Sequence, residues 1–250
     1  MRHRLHSRTV ATSEISRAEA CEMFAILAKH YDCVTPEKFL SDLAEKDCVL
    51  MLRDDLGWIC GFSTQKLLRV SVSGEPVRAV FSGDTIVDRA HWGEQELGRC
   101  WCRYVSAIYA EEPDIPLYWF LISKGYRTYL YLPLFFERFY PNYEAPTPEF
   151  EQRVLDALAT AKFSFSYRPE AGVIEFPQSQ GQLKPHLADI PERRLRHPHV
   201  RFFLERNPRF ASGCELACLA EISPSNMKRF AVRIMQQQPN MPEILAQGAD

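Results

Sequence analysis

Apolar positions recur every three to four residues at the start of the chain and every two residues soon afterwards. In SEISRAEACEMFAILAKHYD, Ile15, Ala18, Met23, Phe24 and Leu27 fall at helical spacing, with Ser13 as a candidate cap. A shorter second helix opens behind Thr35-Pro36. The period then changes to two. CVLMLRDD and GWICGFSTQKLLRVSV predict two strands joined by a tight turn at Asp54 to Gly57, and a second turn at Ser73 to Pro76 leads to a third strand, VRAVFSGDTIV. These three form an antiparallel meander.

From Trp92 the pattern is helical again, with Leu97, Trp101, Tyr104, Val105 and Ile108 along one face. PLYWFLIS is a continuous apolar run, as expected of a strand buried on both faces. YRTYLYLPLFFERFYP reads as an aromatic segment, helical in part, with a break or restart at Pro133. NYEAPTPEF marks the edge of a first unit, residues 1–143. A second unit, residues 150–250, contains a helix over Val154 to Ala161, a hairpin around Pro169 to Gly172, the strand CELACLAEIS and the helix PSNMKRFAVRIMQQQ. It is too apolar for a tail and is expected to pack on the first unit, forming one wall of a site.

Composition adds exclusions. With 250 residues, 46% hydrophobic and 25% charged, the chain has the make-up of a globular protein with a real core. A formal charge of -2 lacks the basic footprint of a general nucleic-acid binder, and the basic stretches MRHRLHSR and PERRLRHPHVR are a terminus and a proline-broken segment. No apolar run approaches the roughly 18 residues of a membrane span. The N-terminal residues are charged and polar, and Cys48, Cys60, Cys100 and Cys102 lie in apolar runs as small buried hydrophobes, so a reducing cytoplasm is expected for the eight cysteines. His197, His199, Cys214 and Cys218 are of zinc-binding types, yet His-x-His followed by Cys-x3-Cys is a weak zinc spacing, and no metal is expected.

Helix, helix, three antiparallel strands, helix, strand, helix is the succession of a mixed, mostly antiparallel α/β (α+β) sheet flanked by helices. Over residues 9 to 143 it resembles the core of the GNAT acyltransferase superfamily, here with an added C-terminal α/β segment. The resemblance implies an acyl-thioester held where the last meander strand and the next strand diverge. It also implies a motif, [RQ]-x-x-G-x-[GA], opening the following helix, whose free amides and positive dipole end hold the coenzyme A pyrophosphate. The corresponding residues are Trp92, Gly93, Glu94, Gln95, Glu96, Leu97 and Gly98. Gln95 and Leu97 replace the inner glycine and the final small residue, and Glu94 and Glu96 add negative charge. Either Gly93 and Gly98 bracket a remodelled loop, or the donor is held differently, for example as an acyl-phosphopantetheine on an acyl carrier protein. A basic surface near Arg99, Arg103 or Lys124 would then face the carrier.

By the same resemblance the strand before the loop supplies amides for the thioester carbonyl, at Ile86 and Val87, and Asp84 could act as general base. His91 titrates in a useful range. Ser123 falls where the family often has a polar residue, and Tyr129 and Tyr131 compete as the acid that protonates the leaving thiolate. The aromatic richness of residues 117–141 suits a long acyl chain, or else it fills the core. The expected activity is transfer of an acyl group, a fatty one being favoured slightly, from acyl-CoA or a carrier protein to an amine of a small molecule or peptide. The alternatives are a GNAT-shaped binding protein without chemistry and, against the mild acidity, a nucleic-acid-associated regulator.

Overall fold

A computed structural model describes residues 4–237, so residues 1–3 and the final stretch of the 150–250 segment, 238–250, lie outside the described residues. The chain opens with a strand, β1 (His6–Ala11), which the basic terminus had concealed: its residues alternate in exposure and only Val10 is fully buried. Helix α1 (Arg17–His30) follows, then β2 (Tyr31–Asp32) and α2 (Pro36–Ala44). The cap of α1 is Ser16 and not Ser13. Ser16 Oγ accepts from the Glu19 amide at 3.2 Å while Glu19 Oε2 accepts from the Ser16 amide at 2.9 Å. Only Ser16 is followed three residues later by an acid able to complete this reciprocal pair. Thr35 caps α2 as expected, accepting from the Lys38 amide.

The meander is β3 (Cys48–Arg53), β4 (Ile59–Val72) and β5 (Glu75–Val87), antiparallel throughout. Ser73 and Gly74 both have positive φ, the backbone that joins twisted strands by a two-residue turn. Helix α3 (Glu96–Glu111) starts four residues after Trp92, because Arg89–His91 form a single tight turn and Gly93 takes φ +94°. It crosses to β6 (Leu117–Ser123), which runs parallel to β5. Arg78 ties the crossover together: its buried guanidinium donates to the carbonyls of Ile108, Glu112 and Ile115.

Beyond β6 come α4 (Tyr126–Tyr129) and α5 (Tyr131–Phe135), which part at Leu130, leaving Pro133 inside the first turn of α5 where its missing N–H costs nothing. The chain continues as α6 (Glu149–Phe163), β7 (Tyr167–Arg168), β8 (Val173–Ile174), β9 (Gln182–Leu183), α7 (Pro185–Ala188), α8 (Glu192–Leu195), α9 (Pro198–Arg206), β10 (Glu215–Glu221) and α10 (Arg229–Gln236). One eight-stranded sheet, ordered β1-β3-β4-β5-β6-β10-β8-β7, runs through the chain, while β2 and β9 pair separately. The segment after residue 150 therefore contributes strands to the same sheet as the first 143 residues: β10 lies between β6 and β8.

One face of the sheet is covered by α3, α5 and α9, around Trp101, Trp119, Phe135 and Phe136. The opposite face carries two separate layers. Helices α1 and α2 cover β3 and β4 through Met23, Phe39 and Phe62, and α6 covers the β6 side through Leu155, Leu158 and Phe120. The space between these two layers lies over β5.

Candidate active site

Strands β5 and β6 pair only from Arg78↔Leu117 to Ser82↔Leu121, and both continue beyond. At the same level β5 is bulged against β4: Gln65 faces Ser82 and Ser63 faces Thr85, so Thr64 alone opposes Gly83 and Asp84. The extra residue puts Asp84 on the same side as Gly83, toward the space between the helical layers. Both ends of the bulge are pinned from the other face. Trp119 Nε1 donates to Ser82 Oγ at 2.9 Å, Ser82 Oγ to Gln65 Oε1 at 2.8 Å and Gln65 Nε2 to Ser63 Oγ at 2.6 Å, and Ser63 Oγ lies 2.7 Å from Thr85 Oγ1.

The main chain after the bulge alternates. Asp88 N–H donates to Cys60 O at 2.8 Å and Ile86 is paired with Phe62, so the amide and carbonyl of Val87 point to the opposite edge, where β6 has departed. Val87 O accepts there from Trp92 Nε1 at 2.9 Å. This open edge between two diverging parallel strands is the feature that the resemblance implied. The fold is GNAT-like.

No protein-family model matches the chain, and no curated protein matches it. Among solved structures, a probable N-acyltransferase from Enterococcus faecalis V583 aligns at 14% identity over 54% of this chain, with a TM-score of 0.41. The chain covers only 33% of that protein. A GNAT family N-acetyltransferase from Escherichia coli, in complex with CoA, aligns at 19% identity over 55% of this chain and 71% of its own, with a TM-score of 0.38. The Saccharomyces cerevisiae N-myristoyltransferase with bound myristoyl-CoA aligns at 11% identity over 48% of this chain and 29% of its own, with a TM-score of 0.36.

Asp84 lines a cavity of about 160 Å³ between α1, α2 and α6. Its carboxyl makes no hydrogen bond among the described residues. Burial pushes it up to about 6, Asp42 and Glu215 adding to the rise while Lys124 and Lys46 oppose it. Lys124 lies 3.3 Å from Glu215 Oε1, donates to Gln180 O and sits over the Tyr31 ring. Burial raises the Glu215 carboxyl too, with Lys124 holding it down. The Tyr31 hydroxyl is raised by burial first and then by the charges of Asp84 and Glu215. Lys46, almost wholly buried, is satisfied by Asp42 at 2.6 Å. Tyr31 and Glu215 are cavity residues that sequence reasoning missed, and Lys124, expected to face a carrier protein, lines the cavity with them; the three come from segments far apart in the chain.

Of the expected residues, Asp84 lines the cavity and Val87 turns its main chain to the open edge, both beyond the last β5–β6 pair, Ser82↔Leu121. Ile86 does not serve as expected: its amide faces β4 and its side chain is buried under α1. Ser123 is buried with its hydroxyl 3.9 Å from Cys218 Sγ, on the face away from the cavity. Tyr129 is fully buried among Phe139, His199, Phe202 and Phe203, and its hydroxyl is committed to Pro141 O at 2.8 Å. Tyr131 is half-buried, stacks on Phe135 and has no hydrogen bond to its hydroxyl among the described residues. His91 sits in the turn after β5 and is not among the cavity residues.

The loop residues divide. Gly93, Glu94 and Gln95 are exposed, whereas Leu97 is buried in the core. Gly98 serves packing, since a Cβ there would stand 2.9 Å from Phe135 Cζ. Glu96 accepts from Ser7 Oγ at 2.6 Å and Arg103 Nη2 at 2.9 Å. Arg103 is therefore engaged, and Lys124 faces the cavity, so of the three cations expected to meet a carrier protein only Arg99 is exposed. The aromatic run is absorbed in the core: Trp119 packs on Trp101, Phe135 and Phe136 at 4.5 to 6.4 Å. Among the described residues no three His, Cys, Asp or Glu side chains are grouped to hold a metal ion.

Proposed function

We propose that the protein is a GNAT-type N-acyltransferase that moves an acyl group from a thioester, an acyl-CoA or a carrier-bound phosphopantetheine, to an amine. The observation that supports this most is the position of Asp84: a carboxyl without a partner among the described residues, its pKa raised by burial, lining a cavity on the strand whose edge opens after Ser82. The thioester would lie along that edge, its carbonyl accepting from the Val87 amide, with the acceptor reaching the same gap from the cavity, which residues of both β5 and β6 line.

An ammonium acceptor first loses a proton to Asp84, directly or through water, becoming a nucleophile. The amine nitrogen then bonds to the thioester carbon and the C–S bond breaks. The second proton leaves the nitrogen, the thiolate takes up one proton, and one proton is released to solvent per turnover. Tyr131, whose hydroxyl has no hydrogen bond among the described residues, is the proposed acid for the thiolate. The negative charges that the sequence placed at the start of α3 are partly neutralised by Arg103, which favours a coenzyme A donor over loss of the cradle. With Trp119, Phe135 and Phe136 packed in the core, the aromatic run lends no support to a fatty acyl chain.

Thermal melting with coenzyme A, acetyl-CoA and palmitoyl-CoA tests donor binding, because a ligand of the folded state alone raises the midpoint by mass action. A shift with at least one of them is expected, and its retention in Asp84→Asn together with lost thiol release would mark a catalyst. Thiol release undiminished in Asp84→Asn would refute the assignment.

A further inference from the structure

The cavity beside Asp84 carries several charges, and most are already matched within the protein. Lys46 pairs with Asp42, Lys124 with Glu215, and Lys162 with Glu45 at 2.7 Å. Two groups remain. Asp84 has no ion pair or side-chain hydrogen bond among the described residues. Lys38, half-buried on α2, donates to Ser179 O at 2.7 Å and has no acidic side chain within ion-pair distance among the described residues. Burial disfavours its charge first and Lys124 adds to this, while Asp42, already paired with Lys46, opposes it without coming within ion-pair distance. One unmatched anion and one unmatched cation therefore line the same small space.

Buried or half-buried charges without partners are costly, and a ligand that supplies both counter-charges removes both costs at once. We infer that the acceptor is a zwitterionic amine, an amino acid whose ammonium lies at Asp84 and whose carboxylate lies at Lys38, with an apolar side chain against Phe81, Phe163, Phe176 and Ile122. This rests on the acyltransfer reading of the site. A polyamine would bring extra positive charge against Lys38, Lys46 and Lys124. The side-chain amine of a peptide lysine would leave Lys38 unmatched.

Calorimetric titration of the full chain with L-methionine, with its decarboxylated counterpart 3-(methylthio)propylamine, and with spermidine separates these cases without any donor. Methionine is expected to bind at least about tenfold more tightly than the amine lacking the carboxylate, the scale of one lost charge-assisted contact. In Lys38→Met that preference should collapse to within about twofold, and in Lys38→Arg it should persist. Equal binding of amine and amino acid, tighter binding of spermidine, or binding of none of the three overturns the inference. The acyltransfer reading fails separately: methionine would bind with its carboxylate preference intact, yet neither acyl-CoA nor acyl carrier protein would release thiol in its presence.

Discussion

The Arg127 guanidinium lies 4.8 Å from the centre of the Trp92 ring, joining the segment that follows β5 to the segment that follows β6. The two strands part after Ser82 and Leu121, and this contact links their continuations beyond the open edge. Trp92 is also held at its edge by its indole N–H on Val87 O, the carbonyl adjacent to the proposed thioester site. Removing the cation in Arg127→Gln should cost about 0.5–1 kcal/mol of stability and increase acrylamide quenching of the tryptophan emission. Urea denaturation and quenching together check it; unchanged quenching would mean that the contact does not shield Trp92.

Asp84 makes a prediction about stability opposite in sign to that for most carboxylates. Its folded value near 6 lies above the ordinary value of an unfolded aspartate near 3.9, so the folded state holds the proton more tightly. The charged form is therefore a burden above about pH 6 that fades as pH falls toward about 4. Asp84→Asn should melt higher than the parent protein at about pH 7.5, and the difference should shrink on acidification. Melting curves across that range check it, and a variant less stable at neutral pH would contradict the burial of a charge.

Gly83 is fixed by what surrounds it. A Cβ there would stand 2.6 Å from Thr64 Oγ1 and 2.9 Å from Lys46 Cε, and Lys46 cannot swing away because Asp42 holds its buried ammonium. Gly83→Ala should cost about 1–3 kcal/mol and displace the bulge that aims Asp84, lowering kcat with it. Chemical denaturation and steady-state kinetics would register both. A stable variant with full kcat would show that the bulge does not set the geometry of the site.

Among the candidate proton donors the structure discriminates. Tyr129→Phe loses a buried hydrogen bond and should cost about 1 kcal/mol while leaving kcat intact, and Ser123→Ala should be silent in kcat. Tyr131→Phe should lower kcat with little loss of stability. The order of kcat across these three variants is the check.

Much of the fold was legible because its elements carry local signals. The meander showed its period of two, α2 its Thr35-Pro36 start, and β6 its unbroken apolar run. The position of β1 was not, since HSRTVA has one fully buried residue and owes its place to pairing with β3. The aromatic run shows a limit of composition: Trp119 and Phe135 look the same in a sequence whether they line a channel or pack on Trp101. At the site, Asp84 and Val87 could be placed along a strand, but the bulge depends on how Ser63 to Gln65 are registered against Ser82 to Thr85. Tyr31, Lys38, Lys124 and Glu215 come from β2, α2, the end of β6 and the start of β10, and only the folded sheet with its helices brings them to one cavity. Ile86 shows the same limit, because which amides face the open edge is set by hydrogen bonding to β4.

The most direct test of the central claim is the pH dependence of thiol release from acetyl-CoA with an amino acid acceptor. A base with the pKa assigned to Asp84 predicts kcat/KM that rises with pH through an inflection near 6, and a variant Asp84→Asn reduced about 100-fold or more that lacks this inflection. Turnover in the variant equal to that of the parent protein, with the same inflection, would contradict the role of Asp84 and with it the account of the site.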